Sequence, residues 1–224
     1  MVFMKPEIIP AILVQLREDL FDRIRKVKPY VDTVQIDIMD GMFVPNNTIG
    51  VKHLRGLPEG VKYELHWMVL NPERWIEKVH GDYLHIVHVE TIDSLDDVQK
   101  IVKKNGGRLG IAINPGTQFE KVLPYLKKVD YVLVMTVNPG FSGQKYIKGM
   151  EERVREIRKK FKDIDIEVDG GLDKKTAYSA AAAGANKIVA ASSIFKAFSI
   201  GKAVKELQES AEKGCKTWAK KSSG

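Results

Sequence analysis

A chain of 224 residues, 44% apolar and 29% charged, is long enough to bury one sizeable core and has the balance of a globular domain. Its longest apolar stretches fall short of the ~20 residues of a membrane helix, the opening MVFMKPE has no signal-peptide core, and the lone Cys215 excludes an intrachain disulfide, so a cytoplasmic location with no membrane partner is expected. The net charge of +7 would suit a polyanion, but Lys and Arg alternate with acids in runs such as EERVREIRKKFK at 151–162, the pattern of solvated helix faces, and no nucleic-acid partner is expected.

Eight short runs rich in branched apolar residues follow one another: Ile8–Leu13, Val34–Asp40, Tyr63–Val69, Leu84–Glu90, Arg108–Asn114, Tyr131–Val137, Ile164–Gly170 and Lys187–Ser193. Segments of helical pattern separate them, among them LREDLFDRIRKVKPY after the first, SLDDVQKIVKKNG after the fourth and GMEERVREIRKKF after the sixth. The segment through GVKHLRGL after the second run is the weakest helix. Alternating strands and helices imply parallel strands joined by crossovers, and eight such units predict a (β/α)8 TIM barrel. A doubly wound open sheet is the other candidate, but it calls for a glycine-rich first turn, and VQLRED stands there instead. One domain is expected over 1–224, with its core at about 8–212 and a loose basic tail at 213–224.

Every second side chain of a barrel strand points inward, into a space normally filled by apolar layers. In VQIDIMD that direction falls to Gln35, Asp37 and Met39; in YELHWMV to Glu64, His66 and Met68; in IDIEVDG to Asp165, Glu167 and Asp169; and LHIVHVE offers His88 and Glu90. Glu64, Glu90 and Glu167 are as readily explained by mutual pairing as by catalysis. Asp37, His66 and Asp169 stand at strand ends, where such barrels carry their chemistry. His53, His80 and His85 read as surface or packing residues. The second and seventh strands are three steps apart around a ring of eight, so Asp37 and Asp169 can flank a substrate from opposite faces. One base then removes a proton from carbon while the opposite acid returns one, provided donors or a metal stabilise the oxyanion; His66 could be one ligand of such a metal. VNPGFSGQ, DGGL and AASSIF, after strands six, seven and eight, put small residues where backbone amides must approach an anion, which predicts a phosphate site.

These motifs, IDIMDGMFVPNNTIG at 36–50, LHWMV at 65–69, HVE at 88–90, VMTVNPGFSGQ at 134–144, EVDGG at 167–171 and SSIF at 192–195, give a sequence that resembles the ribulose-phosphate 3-epimerases over roughly residues 8–212. The resemblance implies interconversion of D-ribulose 5-phosphate and D-xylulose 5-phosphate, with Asp37 and Asp169 as the two acid–base groups. It further implies a divalent metal (Zn, Fe, Mn or Co) on Asp37, His66, Asp169 and position 35, and Met39, Met68 and Met135 along the enediolate site. Phosphate would lie at Gly140, Phe141, Ser142, Gly143, Gly170, Gly171, Ala191 and Ser192. A homo-oligomer is expected. The chain departs from the family pattern at Gln35, where a histidine ligand is expected, and at Ala11, where a serine is expected; a carboxamide is a poorer ligand for zinc-like metals. Related readings are a barrel acting on another sugar phosphate, such as a six-carbon ketose 6-phosphate, and a non-catalytic phosphate-binding homologue.

Overall fold

The computed structural model describes residues 5–222. Eight parallel strands close into a barrel in chain order: β1 (Glu7–Ile12), β2 (Thr33–Met39), β3 (Lys62–Met68), β4 (Leu84–His88), β5 (Arg108–Ile113), β6 (Tyr131–Met135), β7 (Asp165–Asp169) and β8 (Lys187–Ala190). The crossovers carry helices α1 (Arg17–Val27), α2 (Glu73–Ile76), α3 (Leu95–Lys104), α4 (Phe119–Leu126), α5 (Met150–Lys160), α6 (Lys174–Ala181), α7 (Ser192–Phe195) and α8 (Ile200–Ser222). All eight strands lie inside or within a residue or two of the segments read from the sequence. The connection after β2 holds only the 3-10 turn Val51–Leu54, which fits its poor helical pattern.

The strands form because Ile, Val and Leu alternate to a face the helices cover. Ile36, Ile38, Leu65, Val132, Val134, Ile166 and Val168 are wholly buried between barrel and helices, each contributing roughly 1.5–3 kcal/mol by leaving water. Trp67 belongs to this outer layer, stacked on His85 and donating from Nε1 to His85 Nδ1 at 3.1 Å, so His85 is a packing residue as expected. Ser94 and Asp173 cap the starts of α3 and α6 by accepting backbone N–H bonds at 3.3 and 2.8 Å.

The basic segment after 212 is not loose as far as it is described: it continues α8, because Val204, Leu207, Ala211 and Cys215 keep an apolar stripe at helical spacing and Gly214 lets the helix approach α6 closely. Residues 223 and 224 of that tail lie outside the described residues. Among the described residues no helix is long and apolar enough to cross a membrane.

Candidate active site

The polar inward residues sort into two levels. Nearer the N-terminal ends of the strands, Glu64 (β3), Tyr131 (β6) and Glu167 (β7) are buried together. The Tyr131 hydroxyl lies 2.8 Å from Glu64 Oε1 and also contacts Glu167 Oε2. Burial raises both carboxyls, Glu64 to about 7, and the charge of Glu64 raises Glu167 further. Below them Lys187 Nζ meets Glu7 Oε2 at 2.6 Å, closing that end. None of these residues lines the cleft, and of the two readings open for Glu64 and Glu167, pairing and catalysis, the structure displays the pairing, made through Tyr131.

At the C-terminal ends Asp37, His66 and Asp169 converge, offering one ligand atom each, all within 4.8 Å of one another: a group able to hold a metal ion. Gln35 ties it together. Its Nε2 donates to Asp37 Oδ1 at 2.9 Å and to Asp169 Oδ2 at 2.8 Å, using both amide hydrogens, while its Oε1 is buried without a partner. His66 Nδ1 lies 3.1 Å from Asp37 Oδ1. Among the described residues this leaves Asp37 Oδ2 and Asp169 Oδ1 with no hydrogen-bond partner, on side chains that line an open cleft. Burial, and then the nearby Asp37 charge, pushes the Asp169 carboxyl up to about 7, so Asp169 readily carries a proton near neutrality.

Of the residues assigned from the sequence to catalysis, metal or substrate, all line the cleft except His66 and Gln35, which are fully buried behind the aspartates. Met39, Met68 and Met135 form its apolar wall. Gly140, Phe141, Ser142 and Gly143 border it after β6, Gly170 and Gly171 after β7, and Ala191 and Ser192 at the start of α7. Two glycines are required here. Gly170 (φ 120°) would drive a Cβ to 2.4 Å from the Val137 side chain, and Gly171 (φ 67°) would drive one to 2.4 Å from the Tyr146 backbone nitrogen. The rim is cross-linked: Asn46 Nδ2 donates to Gly140 O at 2.7 Å, and Gln144 Nε2 donates to Asn138 O and Phe141 O at 2.7 and 2.9 Å.

Leu13, Val137, Leu172 and Val189 also line the cleft and carried no chemical signal in the sequence; they are ordinary apolar residues whose place depends on the barrel's register. His88 went unassigned although its motif was visible. Its Nε2 lies 2.9 Å from His66 Nε2, and burial pushes it down to about 4, so the ring is neutral. Glu90, beyond the strand in a 3-10 turn, is 3.3 Å from His88 Nδ1. Burial alone would raise it, but contacts with His88, Thr117 and the Asn114 backbone outweigh burial and hold its carboxyl below the ordinary value.

Comparison with known proteins agrees with this geometry. Residues 7–195 match the model of the Ribulose-phosphate 3 epimerase family. The chain is 43% identical over 196 residues to the cytoplasmic isoform of ribulose-phosphate 3-epimerase from Oryza sativa subsp. japonica, covering 84% of this chain and 86% of that protein. It is 35% identical over 221 residues to the ribulose-phosphate 3-epimerase of Bacillus subtilis, covering 94% and 100%. The solved 3-hexulose-6-phosphate synthase of Salmonella typhimurium superposes with a TM-score of 0.69 at 14% identity, over 92% of this chain and 98% of that one, a likeness of fold. With a family match across most of the barrel and relatives of this identity along nearly its whole length, the chain belongs to the ribulose-phosphate 3-epimerase family of isomerases.

Proposed function

We propose that the chain inverts carbon 3 of D-ribulose 5-phosphate to give D-xylulose 5-phosphate, with Asp37 and Asp169 as the two proton-transferring groups. The observation that carries this reading is that each aspartate keeps one oxygen free, and both carboxylates line the same cleft. One carboxylate takes the carbon-3 proton, the adjacent carbonyl becomes an enediolate, and the other carboxyl returns a proton to the opposite face of that carbon. Gln35 holds both carboxylates in place by its two amide hydrogens. The methionine wall offers the flat intermediate a polarizable surface that cannot reprotonate it. The loops after β6, β7 and β8 take the phosphate through backbone amides, supported by the small residues that border the cleft there.

The donor set fits a divalent cation, Zn, Fe, Mn or Co, held by Asp37, His66 and Asp169. The buried, unpartnered Oε1 of Gln35 is an oxygen donor at the same level, suited to a hard cation more than to zinc. When bound, such a cation offsets the negative charge that develops on the substrate oxygen.

The reading is tested by following exchange of the carbon-3 proton with deuterated water. Exchange and inversion are expected with D-ribulose 5-phosphate, and a far lower kcat/KM with dephosphorylated ribulose, since binding energy at the phosphate orients the reacting carbon. Equal kcat/KM for the two sugars would overturn the phosphate assignment, and no exchange at carbon 3 the reaction itself.

A further inference from the structure

Residues 40–48, which complete the motif MDGMFVPNN after β2, touch three other parts of the cleft and have no assigned role. The Asp40 carboxylate accepts from the backbone N–H groups of Met42 and Phe43 at 2.9 and 3.1 Å through Oδ1, and from that of Leu70, just past β3, at 2.8 Å through Oδ2. Thr48 Oγ1 donates to Asp37 O at 2.7 Å and accepts from Met39 N at 2.9 Å, which clamps the far end of the loop to the strand end that carries the Asp37 carboxylate. Val44, in the middle, is buried with Met39 and Met68. A loop tied at both ends and at its centre is a firm support.

From this support Asn46 reaches the loop after β6. Its Oδ1 accepts from Asn47 N at 2.9 Å and its Nδ2 donates to Gly140 O at 2.7 Å; with a donor on one side and an acceptor on the other, the amide can point only one way. Gly140 also sits close to the loop, since a Cβ there would come to 3.3 Å from Val44 Cβ. Elsewhere the β6 loop is held by its own side: Gln144 staples Asn138 O and Phe141 O, and Gly171 fits against Gln144 O and Tyr146 N. Those contacts fold the loop and seat its end on the loop after β7. Its start is set against β2 by Asn46 and Val44. The peptide unit is planar, so anchoring Gly140 O also fixes the direction of Phe141 N–H, which points the opposite way. Among the described residues, the backbone N–H groups of Phe141, Ser142 and Gly143 donate to no protein acceptor.

We propose that residues 40–48 brace the two halves of the site against each other, and that Asn46 is a positioning residue which, by holding Gly140 O, aims the free amides of the β6 loop at the substrate phosphate. The purpose of the brace rests on reading this loop as part of the phosphate site; the brace itself does not.

Asn46→Ala removes the donor. The preference for D-ribulose 5-phosphate over ribulose, taken as the ratio of their kcat/KM values, should fall by roughly 5–10-fold, the size of one lost hydrogen bond, and the inhibition constant of inorganic phosphate should rise by the same factor. General damage to the site would lower both kcat/KM values together, so an unchanged ratio overturns the proposal, as does an unchanged phosphate inhibition constant. The wild-type protein gives a second reading through the 1H–15N resonances of the Asn46 side-chain amide. One of its hydrogens is expected to exchange slowly with water and to shift on titration with inorganic phosphate. An amide that exchanges as fast as that of a free asparagine and ignores phosphate overturns the proposal even if the variant does not fold. A protected amide in wild-type protein that shows no preference for the phosphorylated sugar supports the brace and overturns the phosphate reading instead.

Discussion

The barrel holds two inward carboxyl pairs one level apart, Asp37 on β2 with Asp169 on β7 and Glu64 on β3 with Glu167 on β7, and they have opposite fates. Asp37 and Asp169 face the cleft, each with an oxygen that no group among the described residues satisfies. Glu64 and Glu167, the latter two residues below Asp169 on β7, are sealed under them and share the Tyr131 hydroxyl. Residue type and burial hardly distinguish the pairs. What separates them is whether a solvent-reaching cavity ends on the carboxylate. A pair open to the cleft can exchange protons with a substrate, whereas the closed pair can only divide protons between its own members and the tyrosine.

The comparison breaks most visibly at the upper pair. Asp37→Asn and Asp169→Asn should each lower the carbon-3 exchange rate by ~10² or more while the circular dichroism and melting profile stay close to wild type, since volume is kept and only the proton carrier is lost. Near-normal turnover in either variant would end the two-base assignment. Next in size is Tyr131→Phe in the lower pair, the reverse case. It leaves two buried carboxyl oxygens without their hydroxyl partner, and a loss of about 1–3 kcal/mol in chemical denaturation is expected with kcat within a few fold of wild type. A drop in kcat comparable to that of Asp169→Asn would mean that the two levels are not separate.

The smallest effect is a pH slope. Because the folded state raises Glu64 from its ordinary 4.5 to about 7, and raises Glu167 as well, it favours their protonated forms. The stability they contribute is fully present below pH about 4.5 and is lost as pH rises through about 7. Glu167→Gln removes one of the two raised carboxyls, so the fall in melting temperature across that window should flatten. An unchanged slope would place its origin elsewhere.

Much of this was legible in the sequence, for definable reasons. Parallel strands buried on both faces write themselves as near-continuous branched apolar runs, so VLVM and KIVA could be placed to within two or three residues. Inward direction follows from alternation, which singled out Asp37, His66 and Asp169. Reach does not follow from it. That the Gln35 amide spans two carboxylates depends on side-chain length across strands 134 residues apart in the chain. The His66–His88 contact depends on the register of β3 against β4, in which Glu64 rather than His66 pairs with Leu84. Tyr131 was hidden because its partners lie 67 and 36 residues away. The end of α8 was misjudged because the lysines from Lys213 onward mask the buried Cys215 among them.

The seam of the barrel has a bearing on biosynthesis. β1 is finished on one side only when β8 arrives, with Glu7 opposite Lys187 and Pro10 opposite Ala190. At a synthesis rate of about 5–20 residues per second, the stretch from Ile12 to Lys187 takes roughly 10–35 s to make. For that interval β1, with the wholly buried Ile9 and Ile12 of the finished fold, has an unpaired edge that any other strand could claim. The Lys187–Glu7 pair at the last joint to form favours the correct neighbour over an apolar stranger, so the nascent chain carries a charge-coded latch for its own closure.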